Sequence, residues 1–129
     1  MTDAELIAQA AAARALAYAP YSKFAVGAAL LAADGRLFTG CNVENASYGL
    51  AMCAERVALF KAVSEGARAF VRLAIVADTE ALISPCGACR QVLWEFAPDA
   101  LIIAANLKGQ VRAWPLRELL PEPFDGRIL

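Results

Sequence analysis

The amino-acid sequence predicts one α/β domain in which helices cover the faces of a mixed β-sheet. Three observations support this fold class. The 129 residues suit a single domain with a substantial core. Short apolar stretches typical of interior strands alternate with longer helical patterns. The Asp34-Gly35 pair between two such stretches indicates a tight β-hairpin, and the resulting order α-β-β-α-β-α-β-β implies a mixed sheet.

The first half of the chain is predicted to contain two helices and the hairpin. In order, the expected elements are a helix over 3–19, strands over 24–33 and 36–41, a loop over 42–49 and a helix over 52–64. The first helix is rich in Ala, has Thr2 as a candidate N-cap with Glu5 three residues later, and is expected to end at Pro20. The small apolar residues of 24–33 suit a strand that is buried on both faces.

The second half is predicted to continue the alternation of strand and helix. The expected elements are a strand over 70–77, a loop over 78–85, a helix over 86–96, a strand over 101–105, a short strand near 111 and a short helix over 116–120. Pro98 is expected to end the helix over 86–96. We therefore expect a single domain over residues 1–129.

The composition is unusually apolar for a short chain without a membrane-spanning run. Hydrophobic residues make up 60% of the sequence and the mean hydropathy is +0.49. The excess apolar surface predicts a homo-oligomer. Asp3 and Glu5 replace the basic region that begins a signal peptide, so we expect a cytoplasmic protein without a membrane partner.

The charges exclude one class of partner. The net charge is −1, with 12 basic and 13 acidic residues interspersed. A chain without a basic stripe does not suit a nucleic-acid backbone. We therefore expect a small-molecule substrate.

The sequence has four cysteines and no histidine. Catalysis by Ser-His-Asp or Cys-His groups is therefore excluded, and any metal ligand must be sulfur or oxygen. Acid–base chemistry near neutral pH falls to a carboxylate or to metal-bound water.

Three of these cysteines form a pattern that suits a catalytic metal site. Cys86 and Cys89 stand three residues apart at a predicted helix start, where such residues share one face. With Cys53 as a third ligand, one tetrahedral position stays open, as in catalytic rather than structural zinc sites. Glu55 would then lie beside the open position.

The surroundings of the three sulfurs matter because three thiolates give a zinc site a net charge near −1. Both ligand groups precede predicted helices, whose N-termini stabilise a nearby anion by about 0.3–2 kcal/mol. Arg56 and Arg90 are both expected to add hydrogen bonds or positive charge to the sulfurs.

These motifs resemble those of a known family. Cys53-Ala54-Glu55 and Pro85-Cys86-Gly87-Ala88-Cys89 resemble the signature of zinc deaminases of nucleosides and bases. Further stretches resemble cytidine deaminases of the short, tetrameric type: 21–30, 40–48, 53–56, 84–91 and 119–121, with Phe124. The resemblance implies an α-β-α layered fold with a central mixed five-stranded sheet, and one zinc ion per subunit of a homotetramer.

The resemblance also implies hydrolytic deamination of cytidine and deoxycytidine, with release of ammonia, in pyrimidine salvage. Cys53, Cys86 and Cys89 would bind zinc, with water as the fourth ligand. Glu55 would carry the proton from water to N3 of the base and later to the departing amino group.

For the substrate, the resemblance implies contacts with the base, the ribose and neighbouring subunits. The expected substrate-binding residues are Phe24 on the base, Asn42 and Glu44 on the ribose hydroxyls, and the backbone near Ala54 and Ser84 on the cytosine edge. Those expected to reach a neighbouring subunit's site are Ala46, Tyr48 and Phe124.

Other interpretations remain open. A structural zinc module would close its site with Cys41 or Glu55, although Cys41 is better explained as a small buried hydrophobic residue. A thiol oxidoreductase would use Cys86 and Cys89 but leave Cys53 without a role. A related deaminase of a modified or antibiotic nucleoside, or of a free base, is a further alternative, and the ribose pair favours a nucleoside.

Overall fold

A five-stranded mixed sheet forms the centre of the molecule. The computed structural model describes residues 1–129, apart from the side chain of Ile128. The strands are β1 (Val26–Ala32), β2 (Leu37–Cys41), β3 (Phe70–Ala77), β4 (Leu101–Ala105) and β5 (Val111–Pro115). Their order is β2-β1-β3-β4-β5, with β3 and β4 parallel and the other pairs antiparallel. The predicted mixed sheet is confirmed.

Helices cover both faces of this sheet. They are α1 (Asp3–Arg14), α2 (Ala54–Ser64), α3 (Gly87–Phe96) and α4 (Leu116–Leu119), with short 3-10 turns at Tyr48–Leu50 and Gly126–Ile128. Alternate residues of β1 point to opposite sides: Ala29 and Leu31 pack with Leu6 of α1, whereas Ala28 and Leu30 pack with α2 and α3. Every residue of β1 is buried, as predicted. The α-β-α layering is confirmed.

The first helix is shorter than predicted: it ends at Arg14 and does not continue to residue 19. The chain leaves the helix to form a bridge with the segment that follows β2. The Tyr18 N–H donates to the Asn42 carbonyl (3.0 Å), and the Glu44 N–H donates to the Tyr18 carbonyl (2.8 Å). This tertiary pairing overrides the helix propensity of the Ala-rich sequence. The Thr2 cap is confirmed, since its Oγ1 accepts from the Glu5 N–H at 3.1 Å.

Gly40 allows α2 to lie directly against β2. A Cβ atom at this position would stand 2.6 Å from the Ala58 nitrogen and 2.7 Å from the Ala54 carbonyl oxygen. Such distances are far inside van der Waals contact, so any larger residue would push the helix away. Because α2 begins at the functional site, this close approach sets the position of the side chains there.

Within the described residues, the structure contains no helix with both the length and the apolar character needed to cross a membrane.

Candidate metal centre

The N-termini of α2 and α3 each place a cysteine at the N-cap, the residue that precedes the first helical turn. Cys53 caps α2 and Cys86 caps α3, both with extended backbone. Cys89 lies in the first turn of α3, on the same side as Cys86. The Sγ atoms of Cys53 and Cys86 are 3.9 Å apart, those of Cys86 and Cys89 are 3.5 Å apart, and all three lie within 4.8 Å of one another.

These separations fit a single zinc ion. Sulfur atoms held at about 2.3 Å from a tetrahedral zinc lie about 3.8 Å from one another. The measured distances bracket that value and are far longer than a disulfide bond of about 2.05 Å. Thiolate sulfur is also a preferred ligand of zinc. The predicted three-cysteine group is therefore brought together in a geometry that suits the metal.

Arg56 provides positive charge at this cluster. Its Nη2 donates to the Cys53 sulfur at 3.5 Å, while its Nε is buried without a hydrogen-bond partner among the described residues. A hydrogen bond from the Cys89 thiol, together with those from Arg56 and Cys86, lowers the pKa of Cys53 to about 5. The adjacent Cys53 sulfur and burial raise the pKa of the Cys89 thiol. The cluster thus holds negative charge at Cys53, next to a guanidinium group.

Glu55 lies in the first turn of α2 and is only 6% exposed. Burial raises the pKa of this carboxyl group, and the negative charge of Cys53 acts in the same direction. A buried carboxyl beside a metal-binding cluster is able to hold and to release a proton. This is the property that acid–base catalysis requires.

The cluster opens into a cavity of about 290 Å³. Its lining residues are Phe24, Val26, Asn42, Cys53, Ala54, Glu55, Ile83, Ser84 and Cys86. The structure thus brings four of the predicted substrate-binding residues to the sulfurs and Glu55. Val26 and Ile83 also line the cavity, and neither was predicted to do so. For Ile83, its apolar character and its position directly before Ser84 could have indicated this role. Phe24 is 40% exposed, so its ring is not enclosed in the core.

Asn42 and Glu44, the two residues predicted to bind the ribose, line different cavities. Asn42 lines the cavity with the sulfurs, whereas Glu44 lines a second cavity of about 250 Å³ together with Tyr21, Ser22, Asn45, Tyr48 and Ala51. The two cavities are linked through Ser22. Its hydroxyl group donates to Glu44 Oε2 and accepts from the Phe24 N–H at 3.0 Å.

Both members of this pair also hold the backbone around Phe24. Asn42 Oδ1 accepts from the Val26 N–H at 2.8 Å, and its Nδ2 donates to the Phe24 carbonyl at 2.7 Å. Glu44 Oε1 accepts from the Tyr21 and Ser22 N–H groups at 3.0 and 3.1 Å. The Ser22 side-chain and backbone donors lower the pKa of Glu44, which therefore carries a full negative charge near neutral pH.

The segment before Phe24 contains a strained backbone. Lys23 has φ of 61°, which is unusual for a residue other than glycine. It turns the chain between Ser22, which bonds Glu44, and Phe24, which lines the metal cavity. Such strain often marks a functional site.

Arg90 does not follow the prediction made for it. Its guanidinium group donates to the Pro85 carbonyl at 2.6 Å, to Ser84 Oγ at 2.7 Å and to the Leu119 carbonyl at 2.7 Å. The expected hydrogen bond from Arg90 to the sulfurs is therefore wrong. The side chain serves the loop before Cys86 instead.

The three residues expected to reach a neighbouring subunit lie at the surface. Ala46 is exposed, and Tyr48 and Phe124 are 75% and 60% exposed. The Tyr48 ring packs edge-on against Tyr21, with ring centroids 5.8 Å apart. The backbone of Phe124 is held by Gln91, whose side-chain amide donates to its carbonyl at 2.7 Å and accepts from its N–H at 3.2 Å.

The fourth cysteine lies outside the sulfur cluster. Cys41 is the last residue of β2, opposite Gly27 in β1. Its side chain is half-buried, so the expectation of a buried position holds only in part.

Comparisons with known proteins agree with this geometry. The family model described as cytidine and deoxycytidylate deaminase zinc-binding region matches residues 1–105. A cytidine deaminase of Sporosarcina psychrophila is 54% identical over 126 residues, covering 97% of this chain and 93% of that protein. One from Halalkalibacterium halodurans is 55% identical over 122 residues, covering 94% and 92%.

Solved structures give the same result. The crystal structure of a cytidine deaminase from Burkholderia pseudomallei superposes with a TM-score of 0.93 at 53% identity, covering 96% of this chain and all of that one. A cytidine deaminase structure from Mycobacterium tuberculosis has a TM-score of 0.83 at 43% identity, covering 97% and 99%.

The fold and the three-cysteine cluster together define a zinc-binding α/β domain of the deaminase class. Relatives above 50% identity span almost the whole length of the chain, and the family model covers most of it. The chain belongs to the cytidine and deoxycytidylate deaminase family.

Proposed function

We propose that this protein hydrolyses cytidine and deoxycytidine to uridine and deoxyuridine with release of ammonia. The observation that carries the proposal is that the sulfur cluster and the buried Glu55 line the same cavity as Phe24 and Asn42. The relatives reported above, which are named cytidine deaminases, support the same reaction.

Cys53, Cys86 and Cys89 are the residues that would hold one zinc ion per subunit. Zinc bound by three protein ligands supplies a Lewis acid and lowers the pKa of water at the open position. The chain's own contribution is positive charge beside the sulfurs, which offsets the negative charge of the thiolates. The two helix N-termini and Arg56 supply it.

Glu55 is proposed to move the protons. Hydrolysis adds the oxygen of water to C4 of the base and removes the amino group as ammonia, which requires two proton transfers. Glu55 takes a proton from water and gives it to N3, and then passes the hydroxyl proton on C4 to the departing amino group. Its burial keeps bulk water from competing in these transfers.

The cavity supplies groups that suit a nucleoside. The exposed face of Phe24 is available to pack on the base, and the backbone of Ala54 and Ser84 is available to its polar edge. Asn42 keeps one amide N–H beyond its bonds to Phe24 and Val26, and the ionised Glu44 keeps free lone pairs. These remaining groups are proposed to bind the ribose hydroxyls.

The proposed assembly is a homotetramer in which neighbouring subunits complete each site through Ala46, Tyr48 and Phe124. The support is the exposure of Tyr48 and Phe124, together with other large apolar side chains that a monomer would leave in water. We further propose a single catalytic domain over residues 1–129, acting in pyrimidine salvage. A reducing compartment such as the cytoplasm would keep the three thiol ligands available.

The test is to follow the cytosine absorbance band while purified protein is mixed with cytidine, with zinc and ammonia quantified in the same sample. We expect absorbance to fall as ammonia appears, activity to vanish on chelation, and zinc to restore it. Tightly bound zinc without turnover of cytidine or deoxycytidine would overturn the proposal. A panel of modified nucleosides and free bases would then separate a related deaminase from a structural zinc module. Full activity without metal would instead favour thiol chemistry.

A further inference from the structure

Arg90 joins three segments of the chain through one planar group. Its Nε, Nη2 and Nη1 donate respectively to Pro85, Ser84 and Leu119, all within 2.7 Å. Guanidinium offers several N–H donors in a rigid fork, so it can hold separate acceptors at fixed positions. Charge-assisted hydrogen bonds of this length are among the stronger polar contacts in proteins.

The segments that Arg90 holds form one wall of the metal cavity. Ser84 lines the cavity, Pro85 is buried, and both directly precede the zinc-site residue Cys86. Proline has no N–H, so this stretch of backbone can make fewer hydrogen bonds of its own. A side chain that binds the Pro85 carbonyl and the Ser84 hydroxyl therefore determines where the wall stands.

The third contact fixes the wall relative to the end of the domain. Leu119 is the last residue of α4. Because its carbonyl accepts a hydrogen bond from Arg90, the C-terminal segment is bound to the same guanidinium group. Arg90 itself belongs to α3. The loop, α3 and α4 are thus held in one arrangement by a single side chain.

We propose that Arg90 is a positioning residue for the reaction. It sets the Ser84–Pro85 wall against the base of the substrate and does not touch the substrate itself. The inference rests on the proposed function, since it takes a nucleobase to be the occupant of the cavity.

Two other roles for Arg90 give different results. If Arg90 only stabilised the fold, its loss would reduce the amount of active enzyme, and kcat would fall while KM stayed constant. If Arg90 acted by its charge on the sulfurs, lysine would substitute for it and zinc retention would depend on it. A positioning role predicts a higher KM, normal zinc content and no rescue by lysine.

The experiment compares Arg90→Gln and Arg90→Lys with Arg117→Gln as a matched control. Arg117 also packs on α3, with its guanidinium carbon 4.9 Å from the Trp94 ring centre, but its ion pair is with Asp99. In zinc-loaded protein, both Arg90 variants are expected to lose up to about 100-fold in kcat/KM, mainly through KM, because the cavity wall is misplaced. Arg117→Gln is expected to retain the wild-type KM.

A double-mutant cycle with Ser84→Ala isolates one of the three contacts. Ser84→Ala removes the hydroxyl that Arg90 binds while leaving the backbone of the wall. We expect a rise of a few fold in KM, and the double variant with Arg90→Gln should be no worse than Arg90→Gln alone. Ser84→Ala also keeps the proposal testable if Arg90 variants fail to fold, since an unchanged KM would contradict it.

Hydrogen exchange tests the same inference without substrate. In zinc-loaded protein, the amides of Ser84 and Cys86 should exchange faster in Arg90→Gln than in wild type or Arg117→Gln. If the wild type does not turn over cytidine, the proposed function fails, yet this measurement still reports whether Arg90 holds the wall. Unchanged exchange at both amides, an unchanged KM, or full rescue by lysine would overturn the proposal.

Discussion

The N-termini of α2 and α3 follow the same plan but carry different side chains. Each has a cysteine at the N-cap, and in each the residue three positions later lies on the same side as that cysteine. In α2 this later residue is Arg56, which donates to the Cys53 sulfur. In α3 it is Cys89, which adds a third sulfur. One helix therefore supplies charge compensation where the other supplies a ligand.

The comparison also explains why the two arginines have different roles. Arg56 is three residues after its N-cap cysteine, whereas Arg90 is four residues after Cys86. One further residue turns a side chain by about 100° around a helix. Arg90 consequently faces the Ser84–Pro85 loop and Leu119. Proximity in sequence to a metal ligand does not make an arginine part of the metal site.

The largest effect is expected from removing the N-cap sulfur of α3. Cys86→Ala leaves two thiolates, so the protein should lose both zinc and activity. Cys41→Ala is the matched control, because Cys41 lies outside the cluster at the end of β2, and it should keep both. The zinc content of the two purified variants measures this. One zinc ion per subunit in Cys86→Ala would show that the ligand assignment is incorrect.

The second-largest effect is expected two residues after the N-cap cysteine, where α2 and α3 carry chemically different side chains. In the first turn, α2 carries Glu55 where α3 carries Ala88. Glu55→Gln should retain zinc and fold but lower kcat about 10²–10⁴-fold, since positioned proton transfer contributes that much. Glu65→Gln, at the exposed C-terminal end of α2, removes the same charge and should not change kcat. Near-normal turnover in Glu55→Gln would remove this residue from the mechanism.

A smaller effect separates the two arginines. Arg56→Gln is expected to weaken zinc retention or activity about 10–100-fold, because it removes a hydrogen-bond donor to a ligand sulfur. Arg90→Gln is expected to keep its zinc. Titration of both variants with a competing chelator measures the difference. Equal zinc affinity in the two variants would show that the hydrogen bond from Arg56 to Cys53 does not help to hold the metal.

The smallest effect tests how α2 is held against the sheet. Gly40→Ala should reduce the free energy of unfolding by about 1–3 kcal/mol, because the added methyl group overlaps the backbone of α2. Gly87→Ala, in the first turn of α3, adds a Cβ that meets nothing within 4 Å and should be nearly neutral. Denaturant unfolding of the two variants checks this. A neutral Gly40→Ala would show that α2 can shift without cost.

Much of the fold was predictable because its signals are local. β3 and β4 occupy the predicted residues, and α3 ends at Phe96 as expected. The predicted starts of α2 and α3 were two residues and one residue early, since Cys53 and Cys86 are caps with extended backbone. The three-cysteine cluster was also predictable, because the Cys86–Cys89 spacing and the Cys53–Glu55 motif are short-range patterns.

From the sequence alone, hydrophobic periodicity and turn residues predicted the mixed α/β sheet, and helix spacing predicted the grouping of three cysteines beside Glu55, because these signals depend on near neighbours. The α-β-α layering was implied by the family resemblance. Only the tertiary structure decided that α1 ends at Arg14, that Asn42 and Glu44 line separate cavities, and that Arg90 binds a loop. Each of these outcomes depends on hydrogen bonds between residues that are distant in sequence or on different elements. Such bonds form only where the packed elements bring donor and acceptor together, and the residue types do not specify that placement.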